Sequence, residues 1–236
     1  MNWVVPNNLW KGGDVWILGG GPSIITQFKI PQDVVDKVYK GELQLSAYSP
    51  YMESIHKKHV IGINVAYLIG DWIDMTFFGD DGYFLKHKES MFTQFFGLKV
   101  GCASSCQKYP WAKFLSRDKR VPYGISSNPR CVSWNGNSGA ASISVAANAG
   151  AKRIFLLGFD MKLDENNAQH WHNVYHPEKP VNSVKINKRL PFVRHLVGFP
   201  KIAADAKNKG LCIFNVNPDS AITEFPKITL QEALKL

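Results

Sequence analysis

A chain of 236 residues that is 45% apolar and 20% charged suits one packed α/β domain and is too hydrophobic to be disordered. Its net charge of +9 favours anionic partners. The cations fall in short groups, at 57–58, 117–120 and 185–189, and not in the dense arm that would argue for nucleic-acid binding. No apolar run approaches a membrane span, the N-terminus lacks the core of a secretory signal, and four scattered cysteines without C-x-x-C pairs argue against disulfides or zinc. A cytoplasmic protein is expected.

In chain order, the first strong element is DVWIL from Asp14, an apolar run without alternation, as in a strand buried on both faces. It stops at Gly19, Gly20 and Gly21, and Pro22 and Ser23 then open a helix. HVIGINVAY from His59 reads as a second buried strand ending at Asn64. MTFF from Met75 is a third, running into Gly79, Asp80 and Asp81. The stretch from Phe84 to Trp134 mixes aromatics, Lys and Pro, with a helix and a short strand near Lys99 expected inside it. Small residues after Asn137, Ser138 and Gly139 form a helix that can lie close on a sheet. RIFLLGFD from Arg153 is the next buried strand, ending at Gly158 and Asp160. A polar, His-rich loop follows, then a helix near 200–209 and the strand LCIFNV, in which Cys212 is expected to be buried.

Strands alternating with helices imply right-handed crossovers and a doubly wound, mainly parallel, Rossmann-like sheet: one domain over 1–236, with an irregular His-rich lid at 164–199. Ligands of such sheets sit beyond the carboxyl ends of the strands. The residues there are small or polar, which makes them the candidate floor.

Gly19, Gly20, Gly21, Pro22 and Ser23 allow close backbone approach to a phosphate at a helix start. The pattern is neither G-x-G-x-x-G nor a P-loop. On this reading, Val at Gly21 blocks the ligand and leaves the fold intact. Asn137, Ser138 and Gly139 are good helix caps, and across the same edge become a second phosphate or sugar contact. Asp80 and Asp81 suit a ribose hydroxyl or a divalent ion. His170, His172 and His176 lie within seven residues, but the metal reading is weak without H-E-x-x-H spacing. A lid or acceptor-contacting loop with a proton-shuttling His fits better. His195 reads as a helix residue.

The order LGGGPS from Leu18, GIN at Asn64, NSG from Asn137 and IFLLGFD ending at Asp160 resembles a superfamily across residues 14–225. That superfamily unites bacterial lipooligosaccharide sialyltransferases, flagellin-associated motility accessory proteins and hydroxymethylpterin diphosphokinases, with similar bacteriophage proteins. The resemblance implies that Gly19, Gly21, Pro22, Ser23 and Asn64 hold a nucleotide. Asn137, Ser138 and Gly139 match the family's T-S-G helix start, and Gly158 and Asp160 its G-x-D strand end. A general-base His is also implied before a P-N-S element, which Pro218, Asp219 and Ser220 resemble. Counting back gives His195, with His172 or His176 as alternatives.

Three functions follow. The first is a glycosyltransferase using a nucleotide-activated sugar, needing no cofactor, with a glycan, protein or nucleic acid as acceptor. The second is a pyrophosphoryl transferase with Mg²⁺ on Asp80, Asp81 or Asp160. The third is a non-enzymatic nucleotide- or nucleic-acid-associated module. Self-association into a homo-oligomer is left open.

Overall fold

The computed structural model describes residues 3–172, Val174 and residues 191–236. The run after Asp14 forms β1 (Asp14–Leu18), with neighbours on both sides. Outward on one side lie β2 (His59–Ile63), β3 (Met75–Phe78), β4 (Leu98–Gly101) and the short β5 (Lys113–Phe114). A separate two-stranded ladder pairs β6 (Ser116–Arg117) with β7 (Cys131–Val132). On the other side of β1 lie β8 (Arg153–Leu157) and β9 (Cys212–Asn215), giving a seven-stranded sheet of order β5-β4-β3-β2-β1-β8-β9. All its pairings are parallel.

Helices cover both faces: α1 (Ser23–Gln27), α2 (Gln32–Tyr39), α3 (Asp81–Gln94), α4 (Ser138–Asn148), α5 (Phe192–Leu196), α6 (Phe199–Asn208) and α7 (Leu230–Lys235). The alternation along β1 shows how. Val15 and Ile17 pack with Ile143 and Ala146 of α4 and with Phe199 and Ile202 of α6. Trp16 and Leu18 face the opposite way, into a core holding Ile24 of α1, Val38 of α2 and Phe84 of α3. A strand with an apolar layer on each side has no solvent face, which is why its sequence does not alternate.

The chain steps outward from β1 to β5, then returns through α4 to place β8 on the far side of β1. This reversal is the topological switch point of a doubly wound sheet, where a crevice opens. Register decides what meets there. Leu18 lies level with Gly62 on one side and Leu157 on the other, so the glycine turn, Asn64 and the Gly158-to-Asp160 corner leave the sheet at one height. A crossover helix that feeds a parallel strand runs antiparallel to it, so α4 opens its N-terminus at this same edge.

Two expectations need adjustment. Cys212 is exposed, because β9 is the sheet's edge strand and its buried neighbour Ile213 takes the inward position. Of the lid at 164–199, residues 164–172, Val174 and 191–199 are described, with Trp171 bonded to the glycine turn, whereas 173 and 175–190 lie outside the described residues.

Candidate functional site

A cleft of about 720 Å³ occupies the carboxyl edge at the switch point. Among the predicted site residues, Gly19, Gly20, Gly21, Asn64, Asp80, Asn137, Ser138, Gly139, Gly158, Asp160, His172 and His195 all line it. Pro22, Ser23 and Asp81 do not, and His176 lies outside the described residues.

The glycine turn is held from within. The Gly19 amide donates to Leu157 O (2.8 Å) and the Gly21 amide to Gly158 O (2.8 Å). The Ser23 amide donates to Asp160 Oδ2 (2.9 Å), and the Ser23 hydroxyl to Asp160 Oδ1 (2.5 Å). Asn217 donates to the same carboxylate at 2.7 Å. Asp160 thus fills the N-terminus of α1 from within the protein. Burial pushes its carboxyl upward from the ordinary value, against the pull of the Ser23 and Asn217 donors. A Cβ on Gly21 would stand 2.5 Å from Asp160 Oδ2 and 2.6 Å from Gly158 O. The expectation that Gly21 tolerates Val with the fold intact is therefore corrected: the absent side chain is needed for strand-end packing. Gly20 differs, since the nearest atoms to a Cβ there belong to the His170 ring, Nδ1 at 2.9 Å.

The α4 start is built the other way. Asn137, extended at φ −158° and ψ 157°, caps Ala140 N with its side-chain oxygen. Its Nδ2 donates to His195 O at 3.1 Å, which ties α5 to the cleft rim. The first-turn amides have no partner within the helix. Ser138 is 6% exposed, yet its hydroxyl is buried without a hydrogen-bond partner. Asn64, in the left-handed region at φ 54°, also has an unpartnered buried Oδ1. Asn tolerates that backbone because its short polar side chain does, so the residue has a structural reason as well as a place in the cleft.

The histidines separate into two groups. His170 and His172 stack at 5.3 Å, and the residue between them is locked down. Trp171 donates its amide to Gly20 O and its indole N–H to Gly19 O (2.8 Å), while Tyr39 donates to His170 O. His172 is deeply buried, and burial, with His170 and His87 nearby, holds it well below the ordinary imidazole value. His195 is half-buried on the opposite rim; burial first, then Arg194, lowers it. Both are neutral near pH 7, and His195 is the more accessible.

Of the acids, Asp80 faces the cleft. Asp81 turns away to accept from the Ser105 amide (2.6 Å) and the Ser104 hydroxyl (3.1 Å). Among the described residues no three His, Cys, Asp or Glu side chains gather as a metal-holding group. The cleft's charge comes from Lys86, Arg117 and Arg194 against Asp80 and Asp160, with Lys162 paired to Asp219, an excess suited to an anion. Sequence reasoning missed these cations and His87, whose Nε2 is buried without a hydrogen-bond partner. Tyr83 and His87 lie one helical turn apart at the start of α3 and stack at 4.6 Å, so the i, i+3, i+7 spacing of Asp80, Tyr83 and His87 was a usable signal. Arg117 had none: a two-residue strand carries it, and its guanidinium lies over Trp134 at 3.7 Å.

Fold and cleft together define a Rossmann-like α/β domain with an anion-suited site at its switch point. That fold is also seen in solved glycosyltransferases. The sialyltransferase CstII of Campylobacter jejuni, solved with cytidine-5'-monophosphate, aligns at TM-score 0.52 and 12% identity over 92% of this chain and 85% of that one. The α-2,3-sialyltransferase Cst-I of the same organism gives 0.52 and 13%, over 92% and 80%. The MAf glycosyltransferase of Magnetospirillum magneticum gives 0.56 and 11%, with 98% of this chain spanning 36% of that larger protein. No family model matches the sequence, nor does any curated protein. No helix among the described residues is long and apolar enough to cross a membrane.

Proposed function

We propose that this chain is a glycosyltransferase that uses a nucleotide-activated sugar, related to the sialyltransferases whose fold it shares. One observation carries the reading: the buried, unpartnered Ser138 hydroxyl at the open N-terminus of α4, inside a cleft where cations outnumber acids. A donor phosphate between the α4 start and the Gly20 backbone gives that hydroxyl its missing partner and meets the helix dipole. Asn64 faces the nucleoside. His195, neutral and tied to Asn137, takes the proton of the acceptor hydroxyl. The acceptor oxygen then bonds to the anomeric carbon as the bond from that carbon to the phosphate oxygen breaks. The nucleotide leaves with the electron pair, its charge met by the first-turn amides, Ser138 and the cleft cations. No step requires a metal. A CMP-linked sugar is the first donor to test, because CstII was solved with CMP.

The pyrophosphoryl-transfer alternative needs carboxylates to hold Mg²⁺ against the phosphates. Asp81 and Asp160 are committed to protein donors, which leaves Asp80 alone and weakens that reading.

The test is His195→Ala. It should fold, shift its melting temperature with CMP as the parent does, and lose turnover of a CMP-sugar by about 10² to 10⁴. Turnover within a few-fold of the parent removes His195 as the base, and absence of any nucleotide-induced shift in the parent protein removes the donor reading.

A further inference from the structure

Beside the cleft lies a second groove, of about 920 Å³, between the 118–131 loop and α6. Arg117 lines both. The groove also presents Lys119, Arg120, Lys201 and Lys209 against two acids, Asp118 and Asp205.

Both acids are engaged by the fold. Asp118 accepts from the amides of Arg120 and Val121 and from the Ser126 hydroxyl. Asp205 accepts from the Ile125 amide and pairs with Lys201. Lys119 and Arg120 take part in none of the ion pairs among the described residues, and Lys209 reaches a neutral hydroxyl, that of Ser127. The positive charge of the groove is therefore left over after the protein's own needs are met.

The loop that carries it is fixed in place. Asn135 accepts from the Gly124 amide (2.7 Å) and donates to Gly124 O (2.9 Å). Gly124, at φ 99°, lies so close to α6 that a Cβ would stand 2.9 Å from Lys201 Cγ. On this pinned loop, between the lining residues Val121 and Ile125, Tyr123 is 46% exposed. A preformed basic track whose loop also carries an exposed aromatic is an arrangement suited to single strands, with phosphates on the cations and a base on the ring.

We propose that the groove binds a single-stranded nucleic acid as the acceptor. Its phosphates run along Lys119, Arg120 and Lys209, a base stacks on Tyr123, and the strand passes Arg117 to present a hydroxyl in the cleft. The inference rests on the donor reading above and names the acceptor class for the same transfer. The alternatives fit less well. A lipid surface needs an apolar rim, and the groove is lined mainly by charged and amide or hydroxyl side chains. A sulfated or carboxylated glycan uses the cations and leaves the aromatic idle.

The experiment is fluorescence anisotropy of the full chain with labelled twenty-nucleotide oligothymidylate. If Arg117, Lys119, Arg120 and Lys209 each neutralise one phosphate, log affinity falls with log salt at a slope of about −3, or roughly 50-fold between 50 and 200 mM salt. Replacing Lys119 and Arg120 with Ala should reduce that slope by about 1.4. Tyr123→Ala should weaken binding about tenfold with the slope unchanged. CMP-induced thermal shifts on the same variants should match the parent, so loss of the donor reading is seen separately. Absence of binding at 50 mM salt, or an unaltered slope in the double variant, overturns the proposal. A heparin fragment that competes fully, together with no effect of Tyr123→Ala, overturns it in favour of an anionic glycan.

Discussion

Two strand-to-helix junctions face one cleft. At the first, β1 passes through three glycines into α1, and the amides of Gly19, Gly21 and Ser23 go to Leu157 O, Gly158 O and the Asp160 carboxylate. At the second, one extended Asn leads into α4, and the Ser138 hydroxyl is left without a partner. The first resembles a phosphate loop by composition and the second an ordinary cap. Their hydrogen bonds run the other way. Glycine permits close approach, and at Gly19 and Gly21 the backbone that approaches is that of the β8 corner, with Gly158 O 2.8 and 2.6 Å from the positions of the missing Cβ atoms. An anion-binding helix end is recognised by donors with no internal acceptor.

The contrast can be broken by mutation. The largest effect belongs to Gly21→Ala. Its Cβ must displace Asp160 or the β8 corner, and a loss of about 3 kcal/mol or more is expected in urea unfolding. Gly20→Ala, one residue away, has a movable imidazole as its nearest neighbour and should cost under about 1 kcal/mol. Equal costs at the two positions would mean that the turn is not held by β8.

Next in size is Ser138→Ala. Because the hydroxyl has no protein partner, removing it should leave stability unchanged or slightly raised, while nucleotide affinity falls about tenfold, or 1.4 kcal/mol. Calorimetric titration with CMP reads the second quantity. A destabilised Ala variant with unaltered affinity would reassign Ser138 to the fold.

The smallest effect is a pH dependence on the glycine-turn side. His172 is held below its ordinary value by burial and by His170 and His87, so the unfolded chain binds the proton more readily. Its contribution is present above pH about 6.5 and is lost as pH falls below that. One such group gives at most about 1.4 kcal/mol per pH unit. Melting temperatures of the parent should drop between pH 7 and 5, and His172→Gln should drop less. Parallel curves would assign the loss to His87 and His195, which are lowered too.

Much of the sheet was legible because strands buried on both faces must be continuously apolar. VWIL, VIGI, MTFF and IFLL fit the buried strands of a parallel sheet, and they became β1, β2, β3 and β8. The small polar residues at their ends were equally plain, since a parallel sheet exposes that edge to ligands. Cys212 failed this logic because an apolar string does not say whether its strand is central or at the edge. Asp81 failed because two adjacent acids read alike, although the start of α3 leaves Asp80 in the cleft and turns Asp81 to Ser104 and Ser105.

Composition and local pattern thus determined the α/β class, the strands, and which strand ends line the cleft. Tertiary structure alone decided which donors at those ends remain free. That depends on what stands opposite: Asp160 is 137 residues from the Ser23 amide it accepts, and Arg117 comes to Gly79 O across 38. Hydrogen bonds act over about 3 Å of space at any separation along the chain, so the partners that make a glycine turn structural and leave the Ser138 hydroxyl open are fixed only when the sheet is assembled.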